Sequence, residues 1–152
     1  MKVVFLDIDG VLISERSFWQ AQLCHKEQAV LDRRALLALK KLVEQTGAKV
    51  VITSSWRNLP DEPPSRPYLD LQTRLAHNGT PVYSQTPCLE SNTLDRSDEI
   101  AAWLEEHPAE WFAVIDDNDR FANRPEIRAR WVPVNCRYGL CIKDVEKAAA
   151  LP

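Results

Sequence analysis

Cysteine is scarce and unpatterned in this chain. Cys24, Cys88, Cys136 and Cys141 form no CxxC pair and have no neighbouring histidines at zinc-site spacing. A 152-residue chain can bury about 68–70% of its unfolded surface, so a disulfide framework is unnecessary. The thiols are expected to be reduced and mostly buried. No apolar run approaches the roughly 20 residues of a membrane helix. No basic region, long apolar core and cleavage site precede the first strand pattern. These absences predict a cytoplasmic protein without a membrane partner. Charge of one sign is not in excess either: the net charge is −3, which gives no general pull toward nucleic acid or anionic membranes. With no repeat, linker or low-complexity segment, residues 1–152 are expected to form a single domain.

What is present is a set of β-rich runs ending in polar residues. Val3 to Leu6 leads into Asp7-Ile8-Asp9-Gly10, Lys49 to Ile52 into Thr53-Ser54-Ser55, and Trp111 to Ile115 into Asp116-Asp117-Asn118-Asp119. Short continuous apolar runs suit strands buried on both faces, as in a parallel sheet covered by helices. Pro81 to Ser84 and Trp131 to Val134 are broken by proline and belong near sheet edges. Helical patterns lie between the strands. Asp32 caps one with Leu36, Leu39 and Val43 on a single face and Gly47 as its stop. Leu69 to His77 is a shorter helix closed by Asn78-Gly79. Ser97 is read as the N-cap of a third, with Asp98 and Glu99 in its first turn, an apolar face of Ile100, Trp103 and Leu104, and Pro108 at its end. Asp144 to Leu151 is the last. The alternation predicts an α/β fold with a five-stranded, mainly parallel sheet and helices on both faces. Ile13 to Lys26, without a clear period, and the proline-rich Asn58 to Pro67 are read as loops rimming a site.

Parallel strands would gather Asp7, Asp9, Thr53, Ser54, Asp116, Asp117 and Asp119 at one edge. Carboxylates crowded in this way raise one another's pKa. A hard divalent cation relieves the repulsion, and magnesium uses a few carboxylates together with water and a phosphate oxygen. Asp7 and Asp9 are about 6–7 Å apart along an extended chain, so one carboxylate can attack while the other handles a proton. Gly10 permits a close backbone turn against a ligand. Alone, Asp-x-Asp-Gly is a common turn, Asp-Asp-Asn-Asp a solvated one, and Thr-Ser-Ser almost uninformative. Their joint position after buried strands carries the reading.

At this point the chain resembles the haloacid-dehalogenase (HAD) superfamily over essentially its whole length. Val4-Phe5-Leu6-Asp7-Ile8-Asp9-Gly10-Val11 matches the first motif of that family, and Thr53 matches the second, a Thr or Ser after a strand. Arg96 stands where the family usually has a lysine, and Asp116-Asp117 matches the acidic pair of the fourth motif. Ser54-Ser55-Trp56-Arg57, the helix from Asp98 to Leu104, and Tyr138-Gly139-Leu140 look more narrowly like the HAD domain associated with "Swiss Army Knife" RNA repair proteins.

The resemblance implies a three-layer Rossmann-like HAD fold and a magnesium-dependent phosphatase. In that scheme Asp7 is the nucleophile that forms an aspartyl-phosphate, and Asp9 is the general acid and base. Thr53 and Arg96 hold phosphoryl oxygens, assisted by backbone N–H groups near Gly10 and Ser54. Mg2+ is held by Asp7, the Asp9 carbonyl and Asp117, with Asp116 either behind those ligands or an alternate to Asp117. Arg57 either grips a substrate phosphate or makes a structural salt bridge. The intervals from Asp9 to Thr53 and from Arg57 to Arg96 leave no room for a separate cap domain, which leaves the site open and an oligomer an open question. Arg120, Arg124, Arg128, Arg130 and Arg137 form a basic stretch that is either a solvated face with salt bridges or a nucleic-acid contact. Trp56 and Trp19 are candidates for base stacking or for packing, and Trp103 belongs in the core. Phosphate on a nucleic-acid end and phosphate on a small metabolite both remain candidate substrates. A non-catalytic phosphate- or nucleic-acid-binding module is the alternative from another class. Carbon-centre dehalogenation is disfavoured because it needs neither magnesium nor Asp9.

Overall fold

The structure, a computed structural model, describes residues 1–24, 30–60, 62–63 and 66–152. Along the chain it forms β1 (Lys2–Leu6), α1 (Glu15–Leu23), α2 (Arg33–Thr46), β2 (Lys49–Ile52), a 3-10 turn at Ser55–Asn58 and α3 (Pro67–His77). It continues with β3 (Val82–Gln85), α4 (Arg96–Glu106), β4 (Trp111–Asp116), α5 (Pro125–Arg128), β5 (Trp131–Pro133) and α6 (Ile142–Ala149). The strands lie in the order β3-β2-β1-β4-β5 and every pairing is parallel. The two strands expected near sheet edges are the edges, although Pro81 falls just before β3 and only β5 ends in a proline, Pro133.

Alternation along the central strands sorts side chains into two layers. Val4 and Leu6 of β1, Val50 and Ile52 of β2, and Ala113 and Ile115 of β4 face one core with Leu39 and Leu42 of α2, Leu75 of α3 and Val145 of α6. Val3, Phe5, Val51 and Val114 face the other, with Ile100 and Trp103 of α4, Phe121, and Ile127 of α5. Both faces of β1 are therefore dry, which explains its unbroken apolar run. Phe5 meets Trp103 edge to face at 5.3 Å, and truncating either would cost about 3–5 kcal/mol.

Several expectations are corrected. Ile13 to Lys26 is not all loop, because α1 occupies its middle. The period is hidden since Ser17 and Ala21 face inward while Phe18, Trp19 and Leu23 are exposed. Its remainder, like that of Asn58 to Pro67, runs into residues outside those described. The N-cap of α4 is Asp95, not Ser97. Asp95 accepts the Ser97 N–H at 2.9 Å while the Asp98 carboxylate accepts the Asp95 N–H at 3.0 Å, and this reciprocal box starts the helix earlier. Helix α6 begins at Ile142, before Asp144, whose side chain closes a similar box on Cys141. The cysteines are free but not buried: Cys24, Cys88 and Cys141 are exposed. Among the described residues no helix is long and apolar enough to cross a membrane.

Candidate functional site

Strand register assembles the centre. Leu6 is level with Ile52 of β2 and with Ile115 of β4, so the next residues, Asp7, Thr53 and Asp116, stand abreast at the carboxyl edge. The Asp7 N–H donates to the Ile115 carbonyl and the Thr53 N–H to the Leu6 carbonyl, each at 3.0 Å. These bonds hold the three backbones rigidly, and all three residues are buried. Arg96, the first residue of α4, enters from the helix layer. Its Nη1 lies 3.4 Å from Thr53 Oγ1, 3.5 Å from Asp7 Oδ1 and 3.6 Å from Asp116 Oδ2. One guanidinium thus faces all three strand ends.

That cation does not satisfy the acidic cluster. Asp116 Oδ1 accepts the Asn118 N–H at 2.9 Å, but Oδ2 is buried without a hydrogen-bond partner. Burial, reinforced by the charge of Asp7, raises the Asp116 pKa to about 7. Burial and then Asp7 also push Asp117 upward. One oxygen from each of Asp7, Asp116 and Asp117 lies within 4.8 Å of the others. An all-carboxylate donor set with an orphaned oxygen fits a hard divalent cation such as magnesium. Gly10 makes the approach of Asp117 possible: at φ +81°, a Cβ there would overlap Asp117 Oδ2 and lie 2.5 Å from its Cγ. The Gly10 N–H donates to the Ile13 carbonyl at 2.8 Å, so what the glycine itself offers the site is space.

Asp9 stands at the lip of the site. Partial desolvation, with Asp7 adding to it, raises its pKa, while the Trp56 indole pulls the other way by donating to Asp9 Oδ2 at 3.0 Å. Sequence reading offered Trp56 for stacking or packing; the structure gives its polar end to Asp9. Ser54 uses its hydroxyl to cap the 3-10 turn, accepting the Trp56 N–H at 3.3 Å. Arg57 leaves no donor for a substrate. It donates to the carbonyls of Thr53 and, at 2.8 Å, Ser54; to Cys88 Sγ at 3.1 Å; to the Pro87 carbonyl; and to Glu99 Oε2 at 2.6 Å. Of the two readings of Arg57, the geometry favours the salt bridge, which ties the Thr53 loop to α4.

The basic stretch disperses. Arg124 pairs with Asp98 at 3.0 Å, Arg128 with Asp119, Arg137 with Glu15, and Arg130 donates to the Pro152 carbonyl. Asp119 is thereby drawn out of the carboxylate group. Trp19 is exposed on α1, whereas Trp103 is buried as expected. Tyr138-Gly139-Leu140 clamps the turn after Asp9, for the Leu140 N–H donates to the Val11 carbonyl at 2.9 Å. Gly139, at φ +72°, has no room for a Cβ, which would lie 2.7 Å from that same carbonyl.

A family model described as "HAD domain in Swiss Army Knife RNA repair proteins" matches residues 3–145. No curated protein matches the chain.

Proposed function

Because the chain belongs to the family of HAD domains in Swiss Army Knife RNA repair proteins, we propose that it is a magnesium-dependent phosphomonoester hydrolase acting on phosphate at a nucleic-acid end. The observation that carries the hydrolase reading is the meeting of Asp7, Asp116 and Asp117 around a buried Asp116 oxygen that lacks a hydrogen-bond partner. Asp7 attacks phosphorus, and its new P–O bond forms as the ester P–O bond breaks, leaving an aspartyl-phosphate. Asp9 gives its proton to the leaving oxygen, then takes one from the water that hydrolyses the aspartyl-phosphate. Its raised pKa suits the first of these roles. Thr53 and Arg96 hold phosphoryl oxygens. Trp56 holds the Asp9 carboxylate at the lip of the site, and Arg57 with Glu99 fixes the Thr53 loop. Magnesium held by Asp7, the Asp9 carbonyl, Asp117 and Asp116 would neutralise phosphoryl oxygens, so that an anionic nucleophile can approach an anionic substrate. Among the described residues, α1 and α2 are the helices between β1 and β2. That leaves the carboxyl edge of the sheet open enough for a macromolecular end. The family description, which names RNA repair, favours that class of substrate over a free metabolite.

The test is Asp7→Asn assayed on a generic aryl phosphate with magnesium. Turnover should be lost while the thermal melt stays near that of the wild type. Activity within tenfold of wild type would overturn the assignment.

A further inference from the structure

Arg120 differs from the other arginines of its stretch: among the described residues it has no ion-pair or hydrogen-bond partner, and it is exposed. It is nevertheless well anchored. The next residue, Phe121, is fully buried. Beyond it the Asn123 N–H donates to Asp95 at 2.9 Å, the Asn123 amide donates to the Thr93 carbonyl at 2.9 Å and to Asp98 at 2.6 Å, and Arg124 closes on Asp98. Its charge is felt by Asp9, Asp116 and Asp117, whose pKa values it lowers. No carboxylate among the described residues closes on it as an ion pair, so a guanidinium on a pinned loop keeps its donors for a substrate phosphate.

Its position says where that anion belongs. Arg120 separates two clefts and lines both. One, of about 400 Å³, runs along Arg57, Leu94, Arg96 and Glu99. The other, of about 290 Å³, is lined by Asp9, Gly10, Phe18, Asp117 and Cys136. The acid that protonates the leaving oxygen must touch it, so the group attached to that oxygen lies in the cleft that Asp9 lines. In that cleft Phe18 is 44% exposed, and its ring is supported edge to face by Trp19 at 5.8 Å. An exposed aromatic face beside a free guanidinium is the pairing that takes a base and its backbone phosphate. Helix α1 is itself fixed, because the Glu15 N–H donates to the Cys136 carbonyl at 2.9 Å and Ser14 caps the helix.

We propose that Phe18 and Arg120 form the leaving-strand subsite, in which the terminal base stacks on Phe18 and the next backbone phosphate pairs with Arg120. The inference rests on the hydrolase reading only for the role of Asp9. A small ester fills none of this subsite, so the two residues set specificity.

The experiment compares full-length wild type, Phe18→Ala and Arg120→Gln on β-glycerophosphate and on short RNA oligonucleotides bearing a 3′- or a 5′-monophosphate, all with magnesium. The ratio of kcat/KM for the preferred oligonucleotide to that for β-glycerophosphate should fall about tenfold in each variant, the scale of one lost stacking or phosphate contact. Phe18→Tyr should restore the ratio. In parallel, fluorescence anisotropy in the Asp7→Asn background should show the same oligonucleotide binding about tenfold more weakly when either residue is replaced. Equal losses on both substrates, or unchanged binding, overturns the subsite. If wild type hydrolyses nothing, the hydrolase reading fails, and the anisotropy result still decides the subsite.

Discussion

In metal-free protein, the stability of this fold should fall as pH rises from 5 to 7, and Asp116→Asn should remove most of that fall. The unfolded Asp116 carboxyl ionises near 3.8, whereas the folded one holds its proton up to about 7 because burial and the charge of Asp7 oppose ionisation. Between those values the native state binds one proton more than the unfolded state, so stability declines with increasing pH. The decline is about 1.4 kcal/mol per pH unit from this group, and about 4 kcal/mol across the whole interval. An asparagine keeps an oxygen for the Asn118 N–H, which Asp116 Oδ1 now accepts at 2.9 Å, and carries no charge to bury. Urea unfolding in EDTA at pH 5, 6, 7 and 8 measures the effect. The difference between wild type and variant removes the contribution of Asp9, whose pKa is raised by burial and Asp7 in both proteins. At pH 8 the variant should be the more stable protein, and the gap should narrow steadily toward pH 5, closing only near the unfolded value of 3.8. Parallel curves would refute the argument that this carboxylate is held against its own desolvation. Magnesium should reverse the wild-type trend, because it binds the ionised carboxylates and so favours the native state as pH rises.

Three other outcomes follow from the geometry. Magnesium should raise the wild-type melting temperature, by about 2.7 kcal/mol of stabilisation at one hundred times its dissociation constant, and Asp117→Ala should abolish most of that shift; calorimetry up to millimolar magnesium that finds no shift would count against the site. Gly10→Ala puts a Cβ into Asp117 at a left-handed backbone position, so magnesium affinity should fall at least about tenfold, with about 1–2 kcal/mol of backbone strain; affinity unchanged by titration would contradict the close approach. Trp56→Phe keeps the ring but loses the donor to Asp9, so the Asp9 pKa should rise further and the acidic limb of the kcat–pH profile should move to higher pH. A uniform fall at all pH values would mark Trp56 as packing alone.

The sequence by itself determined the sheet and its chemical edge. Apolar runs dry on both faces, each stopping at Asp7, Thr53 or Asp116, require parallel strands under helices, and parallel strands put their ends together whatever the loops do. Gly47 and Asp32 bounded α2 for equally local reasons, since a stop needs a left-handed residue and a cap needs a short acceptor. Helix α1 escaped because its burial is inverted, small residues inward and aromatic residues outward, so no hydrophobic period marks it. Only the tertiary structure decided how each charge is spent. Arg57 and Glu99 are 42 residues apart, and Trp56 and Asp9 are 47 apart. No spacing rule reveals that Arg57 is fully committed to the protein while Arg120 makes no ion pair or hydrogen bond among the described residues. Pairing of long polar side chains depends on which partners the fold brings within about 3–4 Å. That distance is fixed by strand register and helix packing, not by order along the chain.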